Sequence, residues 1–273
     1  MDGAGNLQLS GLYATGPVLH CACGARYPVV AGIPIVLADV ASWAASEGLD
    51  ALRADADPEL LDLLVPPGSA AARNRELARV YAAAPRDPLV DWVDAELSRL
   101  GGLVLELGSG PGHPGTVRVD LNHRLLRAGP PPVDLVPDPR FEESLAVRPG
   151  VALCADAIDP PFPPECFDGV TLVNLLDSCR DPGLALAQAE ALLRPGGTLI
   201  VTCAFAFGEP TPASRRFDET DLLRALSGEG EIGGHALGSR LERVDDDLEW
   251  TLRISPRTRH VHRALALVAR KPG

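Results

Sequence analysis

Basic residues are scarce in this chain: lysine occurs once, at Lys271, and 25 Lys plus Arg against 37 Asp plus Glu leave a formal charge of -12. A field of that sign repels polyanions, so a nucleic-acid partner would need a local basic patch, and none stands out. Long apolar runs are also missing, since no stretch approaches the ~20 residues needed to span a bilayer. The opening MDGAGNLQLSG has neither the basic start nor the apolar run of a signal peptide. A cytoplasmic protein without membrane contact is expected. Cysteine occurs at positions 21, 23, 154, 166, 179 and 203. Four of these sit singly in apolar surroundings, where a thiol behaves as a small buried hydrophobe, so no disulfides are expected.

What is present supports a substantial core: 273 residues, 46% of them hydrophobic, suffice for one large domain or a medium domain with an appendage. Residues 1–40 read as a small β-module punctuated by Gly and Pro, in GPVLHCACGARYPVVAGIPIVLAD. Residues 41–100 read as a helical cap or connector, with SAAARNRELARVYAAA and PLVDWVDAELSRL repeating apolar residues at helical spacing and Pro-Pro-Gly at 66–68 cutting off an earlier short helix. From 101 to 273 the rhythm changes. Apolar runs of four to eight residues (LVLELG, TVRVDL, VALCAD, GVTLVN, GTLIVTCAF and later RALALVARK) alternate with helix-like segments. This predicts an α/β fold with a mostly parallel sheet covered on both faces, and a ligand at the carboxyl ends of the strands.

ELGSGPG follows the first of these strands, and Gly108, Gly110 and Gly112 permit a tight turn with close backbone approach to a ligand. The next strand ends in Asp120, an acid placed to hold both hydroxyls of a ribose. Only His113 to Val119 separate Gly112 from Asp120, too few for the crossover helix that a dinucleotide fold requires. The third strand ends in Asp156 and the fourth in Asn174, after which LLRPGGTLIVT predicts a helix, a Pro-Gly-Gly turn and a further strand.

Glycine loop, acid, DA, FD strand and LRPGG, in that order, resemble the class I S-adenosylmethionine-dependent methyltransferases over about residues 101–273. The resemblance implies a Rossmann-like sheet with S-adenosyl-L-methionine as cofactor. It places Glu106, Gly108 and Gly110 around the methionine part, Asp120 on the ribose, and Asp156 with the Ala157 backbone at the adenine. It also implies that Asn174 lies beside the sulfonium. The missing first helix departs from the family pattern.

The segment VNLLDSCRDP, with Asn174 and Asp177, resembles two groups that methylate an imidazole nitrogen: the methyltransferase domain of ovothiol-synthesis enzymes, acting on 4-mercaptohistidine, and the DREV-type protein-histidine methyltransferases. LIVTCAFAFGEPTP and the closing LEWTLRISPRTRHVHRALALVARK extend the resemblance to the ovothiol type, with Arg253 and Arg257 at matching positions. Arg259, His260 and His262 stand where aromatic residues are expected. Physical chemistry adds its own argument for imidazole. A neutral imidazole has one N–H and one lone pair, and needs tautomer selection more than deprotonation. A carboxylate at Asp177 that accepts the N–H exposes the other nitrogen, while Asn174 fixes the ring plane or the cofactor's amino-acid end. Alternatively, Asp177 caps the following helix or faces water.

Tyr81 on the helical cap, with Trp250, Arg253 and His260 near the end, are the candidate substrate-binding residues, and His260 and His262, two apart, share one strand face. His113 is close enough to the glycine loop to touch the cofactor. LHCACGARYPVVAGIPIVL resembles the second half of a small zinc ribbon that is often fused or bound to methyltransferases. His20, Cys21 and Cys23 give at most three ligands where a structural site wants four, so no metal site is assigned. The expectation is a methyltransferase acting on histidine, a thiohistidine or a histidine peptide, with a protein partner open to the N-terminal module. An O- or N-methyltransferase of another small metabolite, and a non-catalytic cofactor-binding scaffold, are the alternatives.

Overall fold

The structure is a computed structural model that describes residues 7–15, 18–45, 68–137, 144–206 and 217–273. The expected short helix ahead of Pro66, beyond a helical stretch at 40–45, and the GEPTP segment lie outside the described residues. In chain order the first elements are β1 (Leu7–Ser10), β2 (Leu12–Thr15), β3 (Val18–Cys21), β4 (Arg26–Val30), β5 (Ile33–Pro34), α1 (Ala70–Ala82), α2 (Pro88–Leu97), β6 (Val104–Leu107) and β7 (Val117–Asp120). Then follow α3 (His123–Ala128), β8 (Val136–Pro137), β9 (Ser144–Val147), β10 (Ala152–Cys154), β11 (Phe167–Val173), α4 (Pro182–Leu192) and β12 (Leu193–Cys203). The last are α5 (Glu219–Ser227), β13 (Glu231–Ile232), β14 (His235–Ala236), β15 (Arg240–Ser255) and β16 (Thr258–Arg270). Seven strands form a mixed sheet in the order β10-β7-β6-β11-β12-β16-β15, the Rossmann-like α/β architecture that the alternating apolar runs predict. The chain divides into two compact units, Met1–Ala83 with Gly110–Asp156 and Ala84–Ser109 with Ala157–Gly273.

In the first unit β7 and β10 pair in parallel, and β2, β3, β4 and β5 form an antiparallel sheet. Ile35, just past β5, bridges to Cys154, and Ile33, Ile35, Trp43, Leu126, Ala152 and Cys154 pack into one buried cluster. Helix α1 starts because the Ser69 hydroxyl accepts the Ala72 N–H, and α3 starts because Asn122 accepts the Arg124 N–H. Asn122 also donates through Nδ2 to the Asn74 carbonyl of α1. The side chain of Arg118, fully buried in β7, donates to the carbonyls of Pro111, Leu126 and Pro130. One side chain thereby links the exit of the glycine loop to α3 and the segment after it.

In the second unit β6, β11 and β12 run parallel, while β16 and β15 close antiparallel on β12. Pro-Gly-Gly forms no separate turn after α4. It sits inside β12 as an irregularity in the ladder, with Gly196 at φ +77 and its N–H donating to the carbonyls of Lys271 and Pro272. Asp168 of β11 accepts the Leu103 N–H at 2.6 Å and pairs with Arg194, pinning the entry to β6. Asp87 caps α2 by accepting the Val90 N–H and also accepts the N–H of buried Thr251 at 2.7 Å, tying that helix to β15. Helix α4 is capped by Asp181, whose Oδ1 accepts the Leu184 N–H, so Asp177 is free of the capping role open to it from sequence.

Candidate active site

The first unit holds the acid and part of the glycine loop. Gly110, buried at φ +57, donates its N–H to Asp120 Oδ2 at 2.8 Å, and Asn122 donates its N–H to Oδ1 at 2.7 Å. The short link from Gly112 to Asp120 is therefore closed directly by the carboxylate that ends β7, with no intervening helix. Burial pushes the Asp120 carboxyl up to about 6, against the two backbone N–H groups that favour its charged form. A Cβ at Gly110 would have only the Tyr81 ring nearby, at 3.9 Å, which leaves room over the loop. Tyr81 lies near the end of α1, one helix earlier in the chain than the helix preceding β6. Asp156 is half-buried just beyond β10, and His113 is half-buried in the loop before β7.

The second unit holds Glu106, buried in β6, Gly108 at φ +64, and buried Ala157. A Cβ at Gly108 would meet Leu175 Cδ1 at 2.4 Å, so only glycine fits this turn. Asn174 follows β11 and is buried, at φ +48, a backbone conformation that asparagine tolerates better than most residues. Its N–H reaches the Thr202 carbonyl and hydroxyl oxygen, and that hydroxyl donates to Asn174 Oδ1 at 3.2 Å. With Oδ1 facing the Thr202 hydroxyl, buried Nδ2 has no partner among the described residues.

Asp177 is half-buried one turn further on. Its Oδ2 accepts the Ala206 N–H at 3.1 Å, which joins the segment after β11 to the segment after β12. Burial raises the Asp177 carboxyl above the usual aspartate range, opposed by the Ala206 and Asp177 N–H groups, the charge of His262 and the Ser178 side chain. The neighbouring Cys203 thiol is pushed up to about 12, chiefly by burial and then by the Asp177 charge, so it is an inert thiol at neutral pH. Phe205, at φ +51, stacks on Phe217 with ring centroids 5.7 Å apart.

The β15/β16 hairpin gathers some of the expected substrate residues and separates another. Trp250 pairs in register with His262 and their rings lie 5.0 Å apart, while His260 meets His262 edge-on at 6.4 Å. Trp250 also packs on the cluster of Leu89, Ala264 and Ala266. Arg253 has the opposite parity along β15 and pairs in register with Arg259, so it does not join Trp250 and His260 on their face. Thr202, Cys203, Phe205 and the Ala206 N–H were not singled out by motif reading. Their place beside Asn174 and Asp177 follows from strand order, and the TCAF run alone gives no sign of it.

The first unit thus holds a glycine-loop residue bonded to an acid, and the second holds an Asn and an Asp just after β11. Residues 105–201 match the family model for a methyltransferase domain, and the protein is a methyltransferase enzyme whose methyl donor is S-adenosylmethionine. Among solved structures, one described for the conversion of a disulfide bond into a thioacetal group during echinomycin biosynthesis is 19% identical, covering 70% of this chain and 84% of that one at a TM-score of 0.43. The antibiotic-resistance methyltransferase Kmr is 18% identical over 66% of this chain and 92% of its own, at 0.39. The YcgJ protein from Bacillus subtilis is 15% identical over 68% and 98%, at 0.39. Likenesses this distant carry no weight for activity. Among the described residues no helix is long and apolar enough to cross a membrane, and no group of three or more His, Cys, Asp or Glu is arranged to hold a metal ion.

Proposed function

We propose that the protein transfers a methyl group to an imidazole nitrogen of histidine, a thiohistidine or a histidine-containing peptide. The observation that carries this reading is the Asp177 carboxyl, half-buried beside His262 and held from one side by the Ala206 N–H.

The chain's own residues fit the cofactor. The partnerless Nδ2 of Asn174 is a buried donor suited to the carboxylate of the cofactor's methionine part. Asp120, with one backbone N–H on each oxygen, keeps acceptor capacity for ribose hydroxyls, and the open space over Gly110 allows close approach. Glu106 and Gly108 are proposed for the methionine part as well, and Asp156 with the Ala157 backbone for the adenine. When bound, S-adenosylmethionine supplies an electrophilic methyl group on a sulfonium.

Asp177 then accepts the N–H of one ring nitrogen, which leaves the lone pair of the other free to attack. An unperturbed imidazole pKa of about 6.5 keeps most of the acceptor neutral at pH 7. After transfer the ring carries a positive charge, and the proton it loses is the one already bonded to Asp177. Much of the acceleration comes from holding the attacking nitrogen about 3 Å from the methyl carbon. Trp250 and His260, on the face that carries His262, are proposed to contact the acceptor. Tyr81, against Gly110, is proposed to shape the glycine loop.

The test is transfer of labelled methyl from S-adenosylmethionine to histidine, thiohistidines, histidine peptides and non-imidazole amines and phenols, with Asp177→Asn run in parallel. Label on an imidazole nitrogen in the native protein, reduced about 100-fold or more in the variant, is expected. Label appearing only on a non-imidazole acceptor overturns the proposed substrate and leaves the methyltransferase intact.

A further inference from the structure

The Cys-Ala-Cys segment at 21–23 lies apart from the proposed chemistry, and its geometry is specific. Cys21 ends β3 and Cys23 sits in the turn leading to β4. The turn is closed by backbone bonds from Gly24 N–H to the Cys21 carbonyl and from Cys21 N–H to the Ala25 carbonyl, both 2.8 Å. The adjoining Ala22 N–H donates to the Gly11 carbonyl, which anchors the middle residue. The Sγ atoms lie 2.6 Å apart, and the Cys23 N–H donates to Cys21 Sγ at 3.3 Å. Cys23 is exposed and Cys21 half-buried.

The two thiols are in direct contact. The Cys21 thiol, and next the Ala25 N–H, favour a thiolate at Cys23 and lower its pKa, while Cys21 is raised as the partner that keeps its proton. Three of the other four cysteines contrast with this pair: Cys154, Cys166 and Cys203 are buried, and burial pushes Cys166 and Cys203 up to about 12.

We infer that Cys21 and Cys23 form a dithiol site that exchanges with low-molecular-weight disulfides and closes to an intramolecular disulfide. In the first step the Cys23 thiolate attacks one sulfur of the small disulfide, a mixed disulfide forms and one small thiolate leaves. In the second, Cys21, having released its proton to solvent, attacks Cys23 Sγ, the internal S–S bond forms and the second small thiolate leaves. The protein dithiol is oxidised by two electrons, the small disulfide is reduced to two thiols, and the two protein protons end on those thiols. A ring spanning a single intervening residue at an exposed turn belongs to the labile class of disulfides, so the reaction is reversible under a thiol excess.

The full chain would be equilibrated with oxidised and reduced glutathione at graded ratios, acid-quenched, alkylated, digested and mapped by mass. As oxidised glutathione rises, the fragment ending at Arg26 is expected to lose both alkylations together and to weigh two hydrogens less, with no attached glutathione. Cys21→Ser is expected to stop at a glutathione adduct on Cys23. Alkylation of both cysteines at every ratio, separate glutathione adducts on the native chain, or a bond from either residue to another cysteine would each overturn the inference. The native map decides the question even where a variant folds poorly.

Discussion

At the residue scale, three side chains of the proposed site hold protons or donors in unusual states, and each state has a measurable result. Asp177 must be ionised to accept a ring N–H, and its carboxyl is raised by burial, so kcat/KM should fall on acidification at a pH above the ordinary aspartate range. The acceptor's own imidazole adds a second acid limb near its pKa of about 6.5. A pH–rate profile should therefore show two acid-side titrations in the native enzyme and only the acceptor's in Asp177→Asn. Asn174→Gly keeps the φ of +48 without strain but removes the buried Nδ2. We expect its cofactor Kd to rise about tenfold, as befits one hydrogen bond to a charged group, and its Tm to fall modestly because the buried Thr202 hydroxyl loses its acceptor. Asp120 has the opposite balance. Its folded-state value of about 6 exceeds its ordinary value of 3.8, so the folded chain binds the proton more tightly and stability falls as pH rises from about 4 to about 6. Asp120→Asn should remove that slope, leave one of the two backbone N–H donors without its acceptor, and weaken cofactor binding. Thermal melts across pH 4–8, with and without cofactor, check both halves.

At the scale of elements, Asp87 shows how one carboxylate fastens a helix to a hairpin 164 residues away, since it serves both the Val90 N–H of α2 and the Thr251 N–H of β15. Asp87→Ala removes the cap and strands a buried donor, for an expected loss of about 2–4 kcal/mol, measurable by urea unfolding. The same link marks the limit of what the sequence discloses. Each core strand is legible as an apolar run, and Asp87-Pro88 signals a helix start from local chemistry alone. The partner Thr251 is not, because nothing within a short window fixes which strand returns to a given helix. Asn174 and Asp177 are legible as polar residues ending a strand, whereas Thr202 and Ala206, which hold them, depend on β11 and β12 pairing in parallel. Arg253 illustrates a finer loss: its place near Trp250 in sequence is evident, but the parity of the ladder carries it to the other face. Pro-Gly-Gly likewise signals a turn locally, yet the ladder absorbs it as an irregularity inside β12.

At the scale of the whole molecule, the charge of -12 and the cofactor act on stability in separable ways. A ligand that binds only the folded chain stabilises it by RT ln(1 + [L]/Kd), about 2.7 kcal/mol at a hundredfold excess over Kd. S-adenosylmethionine should therefore raise Tm in a concentration-dependent manner. Since Asp120 must be charged to accept the ribose hydroxyls well, that increment should shrink as pH falls through about 6. In Asp120→Asn it should be smaller at pH 7 and insensitive to pH over the same interval. A polyanion such as RNA should give no corresponding increment at physiological salt, because its counterion release needs a basic surface that the net charge opposes. A melt in which RNA stabilised the chain in a salt-sensitive way would show that a local basic patch outweighs the global field. The cofactor increment would then still report on Asp120, because an uncharged or absent carboxylate at that position weakens the same contact whatever the acceptor is.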